Sequence, residues 1–137
     1  MALLHDIGKI GVPDEILNKP LPLEDEEYRI LKQHSVTGGD ILKNIGTFSN
    51  LKIGALYHHE RYDGRGYPDG LAGENIPMEA RIIAIADTYD AMTTNRAYRG
   101  RLSDEAVLVE LENVKGTQLD AVITEVFLEM LNEGFKV

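Results

Sequence analysis

The residues able to do chemistry in this sequence are four histidines and a few aspartates: His5-Asp6, His34, the tandem pair His58-His59, Asp87 and Asp90. Neighbouring side chains on a helix diverge by about 100°, so His5-Asp6 can meet one metal centre from its edge. His58-His59, if both helical, suit two neighbouring ions better than one shared ion. With His34 beside the apolar Ile30 and Leu31, every histidine of the chain joins one candidate set. The chain contains no cysteine. Disulfides, thiolate ligands and thiol nucleophiles are therefore excluded, and any metal must be held by imidazole and carboxylate, a donor set that suits Fe, Mn or Zn without choosing among them.

Asp87 directly follows Ile82-Ile83-Ala84-Ile85-Ala86, a run that puts apolar side chains all round a helix axis and predicts a helix buried on most faces. An ionised carboxylate there needs a cation, a dense hydrogen-bond set or a cavity. Asp90 and Ala91 share its face. One carboxylate can then ligate metal while the other handles protons. Plainer roles remain open for each residue taken alone: His34 as a hydrogen-bonded residue, Asp87 as the ion-pair partner of Arg81 or Arg96, Lys9 as a cation near a helix end.

These residues must be positioned by one domain, since 137 residues make a single core. With 43% hydrophobic and 27% charged residues the composition is globular. No apolar run approaches the ~18 to 20 residues that span a bilayer, and the opening Met1-Ala2-Leu3-Leu4 is too short for a leader, which makes a cytoplasmic location the expectation. A net charge of -9 argues against DNA or RNA as partner. An anionic substrate could approach only where local cations outweigh that field.

The chain reads as all-α, with scarce strand-like alternation. Ala2 to Ile7 resembles the end of an apolar helix stopped at Gly8. After a loop with Pro13, Pro20 and Pro22, a helix is expected from Leu23 to about Leu42, with Gly38-Gly39 interrupting or weakening it. Leu51 to about His59 predicts a short helix, and Gly64, Gly66, Pro68, Gly70 and Gly73 a long loop. Pro77 suits the start of a helix over Met78 to Met92. Ser103 and Asp120 can cap two more, reaching about Val114 and Glu133.

Three segments together closely resemble the HD-GYP family: His5-Asp6-Ile7-Gly8-Lys9, His58-His59-Glu60 through Asp63-Gly64-Arg65-Gly66-Tyr67-Pro68, and Asp87-Thr88-Tyr89-Asp90-Ala91-Met92. Arg96-Ala97-Tyr98-Arg99 and Gly116-Thr117-Gln118-Leu119-Asp120 look like family segments in the expected order. The similarity spans nearly the whole chain. It implies a compact helical HD-domain fold with a metal centre between helices, hydrolysing cyclic di-GMP to pGpG and/or GMP in bacterial second-messenger signalling. By the same resemblance His5, Asp6, His34, His58, His59 and Asp87 would ligate two or three divalent ions, Fe or Mn foremost, with Zn, Mg and Ni open. Lys9, Arg96 and Arg99 would hold phosphate oxygens. Lys9, Asp6 and Asp90 would take part in catalysis, and Asp63, Gly64, Gly66, Tyr67 and Pro68 would shape the substrate loop.

The sequence departs from the family at two places. Family sites usually take a further histidine, and in some members a glutamate, from a helix well upstream, whereas His5 lies only four residues after Met1. The expectation is an HD-GYP domain over residues 1–137 lacking its usual upstream helices, with Ala2, Leu3, Leu4 and Ile7 exposed and self-association as a homodimer favoured. The second is Ala97, where the family usually has proline, which loosens the arginine loop. A sensory or cyclase-type domain is the expected partner. Two alternatives stand beside the leading reading: a catalytically weak or inactive remnant that binds a cyclic dinucleotide or a protein, and an HD phosphohydrolase for another nucleotide.

Overall fold

A computed structural model describes residues 2–43, 45, 51–95 and 100–135. Six α-helices account for most of it: α1 (Asp14–Leu17), α2 (Asp25–Leu42), α3 (Leu51–Tyr57), α4 (Met78–Thr93), α5 (Asp104–Val114) and α6 (Ala121–Asn132). Short 3-10 turns occupy Ala2–Leu4, Ile7–Gly11 and Gly73–Asn75. The one β-type pairing among the described residues is an isolated bridge between Lys115 and Leu119, in keeping with the all-α expectation.

Local chemistry sets most helix ends. Glu24 and Glu27 form a reciprocal capping box that starts α2 at Asp25, two residues later than the acidic run suggested. The Ser103 hydroxyl accepts from the Ala106 N–H, and one Asp120 carboxylate oxygen accepts from both Val122 and Ile123. Arg81 donates to the other Asp120 oxygen at 2.5 Å, tying α4 to the start of α6. Arg81 is therefore spent on Asp120 and is not the partner of Asp87.

Packing divides the molecule into two parts that meet at α4. Ile85 and Met92 of α4, Val107 and Leu111 of α5, Leu119 and Leu128 form one buried cluster, bordered by Tyr89, Leu108, Ile123 and Phe127. On the other side α3 lies against α2 at close range. There a Cβ on Gly38 would be 3.3 Å from the Ala55 Cβ, and one on Gly39 would be 3.4 Å from that of Leu56. Gly38-Gly39 thus neither breaks nor ends α2. The pair sits inside a continuous helix as the flat surface against which α3 and the first turns are laid.

Several local expectations are corrected. Ala2 to Ile7 is not the end of an α-helix, and Gly8 does not stop one: it is the second residue of the 3-10 turn Ile7–Gly11. Its backbone is pressed onto α2 so closely that only a hydrogen fits on Cα. His58 and His59 are not on helix α3 but in the turn that follows it. The apolar run of α4 is buried on most faces, as its sequence predicts: Ile83 and Ile85, about 200° apart round the helix, are both buried, and the exposed stripe runs through Ile82 and Ala86. It is a helix packed from two sides, by α3 and by α5 with α6. Leu3 is fully exposed as expected, Ala2 is exposed, and Leu4 and Ile7 are half-buried.

Candidate metal centre

The six candidate ligands arrive on four segments, and the crossing of those segments makes the site. His5-Asp6 lies between the first two 3-10 turns, His34 in mid-α2, His58-His59 just past α3, and Asp87 in mid-α4. Asp6, His34, His58 and His59 each offer an atom within 4.8 Å of the others.

The imidazoles are fixed in orientation by their other nitrogens. His34 Nδ1 lies 2.6 Å from the Leu31 carbonyl, and His58 Nδ1 lies 3.0 Å from that of Gly54 and 2.9 Å from that of Ala55. Carbonyls only accept, so both Nδ1 atoms carry the proton and both Nε2 atoms present lone pairs. Those two Nε2 atoms are 3.5 Å apart. No hydrogen bond joins two lone pairs, so the pair calls for a cation between them. The His58 ring folds back onto the end of α3: the Gly54 carbonyl already accepts the His58 backbone N–H, and the ring adds a donor to it and to the Ala55 carbonyl.

Asp6 Oδ1 completes this arrangement, 3.4 Å from His34 Nε2 and 3.7 Å from His58 Nε2, buried and without a hydrogen-bond donor. Its other oxygen receives Lys9 Nζ at 2.6 Å. His5 Nε2 lies between carboxylates, 3.3 Å from Asp6 Oδ2 and 3.6 Å from Asp87 Oδ1, and neither contact is aligned as a hydrogen bond. Orphaned, buried acceptors converging from a carboxylate and several imidazoles fit divalent metal ions, whose bonds would satisfy all of them.

The electrostatics agree with that fit. Burial pushes His59 down to about 3, helped by the neighbouring His58 and His34, so its lone pair is free at neutral pH. Burial likewise lowers His34. Asp6, followed by Asp87, raises His5 to about 10. Burial works to raise Asp6, but His5 and Lys9 outweigh it and hold the carboxyl well below its usual range. His5 does the same for Asp87 against burial. Both carboxylates therefore stay ionised, with His5 as their cationic neighbour.

The set opens into a cavity of about 580 Å³. Lys9 and Asp90 share its wall with the candidate ligands, as do Gly66 and Tyr67. Tyr67 stacks on His59 with ring centroids 4.8 Å apart. Asp63, Gly64 and Pro68 do not face the cavity and serve the loop from behind. Asp63 clamps Arg61 through two hydrogen bonds of 3.1 and 2.7 Å and accepts the Arg65 N–H. Gly64 turns the chain at φ +77°, and the Tyr67–Pro68 peptide is cis. Gly66 is obligatory, because a Cβ there would lie 2.3 Å from the Arg61 nitrogen. Arg96, Arg99 and Ala97 lie outside the described residues.

Sequence reasoning missed several wall residues. Glu60 is buried and accepts the N–H groups of Asp69 and Gly70, organising the loop from inside. Gln118 reaches in from the turn before α6, accepting from Arg61 at 3.1 Å. Tyr28 and Lys32 come from the first half of α2. Their spacing of four, which puts both on one face of α2, was the available signal.

Comparison with known proteins bears on the family and the fold. The HD domain model covers residues 1–123. The chain belongs to the HD domain family. The Gly66-Tyr67-Pro68 loop makes it an HD-GYP domain within that family. This HD domain is 44% identical over 135 residues to a cyclic di-GMP phosphodiesterase of Thermotoga maritima, covering 96% of this chain and 36% of that protein. It is 39% identical over 132 residues to a 3'3'-cGAMP-specific phosphodiesterase of Vibrio cholerae, covering 95% of this chain and 25% of that protein. The fold matches the crystal structure of a cyclic GMP-AMP-specific phosphodiesterase of Vibrio cholerae with a TM-score of 0.70 at 20% identity, over 96% of this chain and 36% of that one. The chain thus spans between a quarter and about a third of the relatives' length. Among the described residues no helix is long and apolar enough to cross a membrane.

Proposed function

We propose that this HD domain hydrolyses a phosphodiester of cyclic di-GMP, giving pGpG and/or GMP, with His5, Asp6, His34, His58, His59 and Asp87 holding two or three divalent ions, Fe or Mn foremost. The observation that carries this reading is the convergence of Asp6 Oδ1 with the lone pairs of His34 and His58, buried and without donors. Bound there, divalent cations would lower the pKa of an attacking water and neutralise charge on the non-bridging phosphate oxygens.

The chain's own groups do the remainder. Lys9, 2.6 Å from Asp6 Oδ2 on the cavity wall, adds a fixed positive charge where the phosphate gathers negative charge in the transition state. Asp90 faces the same cavity and takes the proton that the water gives up. Tyr67, stacked on His59, closes one side and limits solvent access. Arg96 and Arg99 bind phosphate oxygens in this reading.

The similarity to the 3'3'-cGAMP-specific enzyme supports a second reading, in which a mixed guanine-adenine ring is the better substrate. Chromatographic assay of both cyclic dinucleotides, paired with metal analysis under anaerobic iron and under manganese, separates the two. Chelation should abolish turnover and restored metal should return it. His58→Ala should lose both metal and activity. Full activity in the chelated protein or in that variant would sink the assignment.

A further inference from the structure

The outer wall of the cavity carries a lysine with no acidic partner among the described residues. Lys9, Lys19, Lys43 and Lys115 each pair with a carboxylate, whereas among the described residues Lys32, like the exposed Lys52, enters no ion pair. Of these two only Lys32 stands on the cavity wall. Its Nζ is held instead between two aromatic faces, 4.4 Å from the Tyr28 ring centroid and 5.3 Å from that of Tyr67. Tyr28 and Lys32 lie one turn apart on the same face of α2, and with Tyr67 they line the metal-centre cavity. Tyr28 is 45% exposed, so its ring keeps open surface.

A cation beside open aromatic surface is a combination suited to a nucleobase. Guanine presents two adjacent acceptors, O6 and N7, to one ammonium, while adenine replaces the first with an amino donor. An aromatic ring stacks on either base without preference. We propose that Lys32 and Tyr28 form a base-holding subsite beside the metal centre, in which Tyr28 stacks on a purine and the Lys32 ammonium selects guanine. This rests on the reading of the cavity as a cyclic-dinucleotide site and names the part of it that recognises the base. Guanine is the base common to cyclic di-GMP and 3'3'-cGAMP, so the subsite serves either.

The test is calorimetric binding of phosphorothioate analogues of cyclic di-GMP and cyclic di-AMP, which keep the bases and resist cleavage. It is run on the wild-type chain and on Lys32→Met, Lys32→Arg and Tyr28→Leu, with circular dichroism and metal content as controls. Wild type should favour the guanine ligand. Lys32→Met should weaken it about ten-fold and leave the adenine ligand unchanged, and Lys32→Arg should restore the preference. Tyr28→Leu should weaken both alike. Equal loss of both ligands in Lys32→Met would assign Lys32 to the phosphates and overturn the proposal, as would no change, or no guanine preference in wild type. Failure of the proposed hydrolysis would appear separately, as guanine-selective binding without turnover of unmodified cyclic di-GMP.

Discussion

Gly8→Ala tests how the metal centre depends on a contact far from any ligand atom. A Cβ at Gly8 would stand 1.9 Å from the His34 carbonyl oxygen, 2.5 Å from the Gly38 nitrogen and 2.8 Å from the His34 carbonyl carbon. All three are main-chain atoms of α2, so no rotamer change relieves the clash. Recovering a 3.0 Å contact requires the Ile7–Gly11 turn to withdraw by about 1.1 Å from α2. Asp6, two residues earlier, has its Oδ1 3.4 Å from His34 Nε2. A withdrawal of that size along the same direction stretches the separation to about 4.5 Å. Two donors at about 2.1 Å from one ion stand at most about 4.2 Å apart, so Asp6 and His34 could no longer share it. The overpacking itself costs about 1–3 kcal/mol, and a displacement of about 1 Å in a catalytic group costs on the order of 100-fold in rate. The core cluster of α4, α5 and α6 is untouched. Far-UV circular dichroism should therefore remain helical while metal content falls below half of wild type and turnover falls about 100-fold. A Gly8→Ala protein with full metal and a rate within about three-fold of wild type would refute this account of the site.

Two further outcomes concern the supports and the electrostatics. Asp120 is buried, which works to raise its pKa, but the Ile123 N–H, Arg81 and the Val122 N–H outweigh that and hold it low. A depressed folded pKa contributes stability fully present above the unfolded value near 4 and lost as pH falls through the folded value, so urea midpoints should drop in that acid window, and less so in Asp120→Ala. At neutral pH Asp120→Ala should cost about 3 kcal/mol by urea titration, since it strands Arg81 and uncaps α6; a loss below about 0.5 kcal/mol would contradict the buried pairing. Lys9→Ala should keep its metal while hydrolysis slows about 10- to 100-fold, and metal loss in that variant would show that Lys9 supports Asp6 and not the phosphate.

What the sequence determined by itself is what depends on a few neighbouring residues. Pro77 as the entry to α4, Ser103 and Asp120 as caps, and the loop through Gly64 and Gly66 are legible because capping and turn chemistry act within about four positions. The residue types of the metal centre, and the family that they resemble, were equally plain. Even local rules failed at His58-His59: a helical continuation looked acceptable, yet the His58 ring satisfies the carbonyls of α3 from the turn beyond it. The burial of α4 on most faces, by contrast, was legible, because apolar side chains all round the axis call for neighbours on more than one side.

Only the tertiary structure decided which groups meet. That His34 and His58 present lone pairs to each other follows from α3 crossing α2 over Gly38 and Gly39. That Asp6 joins them follows from the bare Cα of Gly8 against the α2 backbone. Arg81 going to Asp120, and Lys32 standing over Tyr28 and Tyr67 at the cavity wall, are likewise products of how rigid elements are laid together. Periodicity and capping fix each helix over its own length, whereas convergence at ångström scale depends on contacts between residues far apart in the chain, which no local pattern encodes.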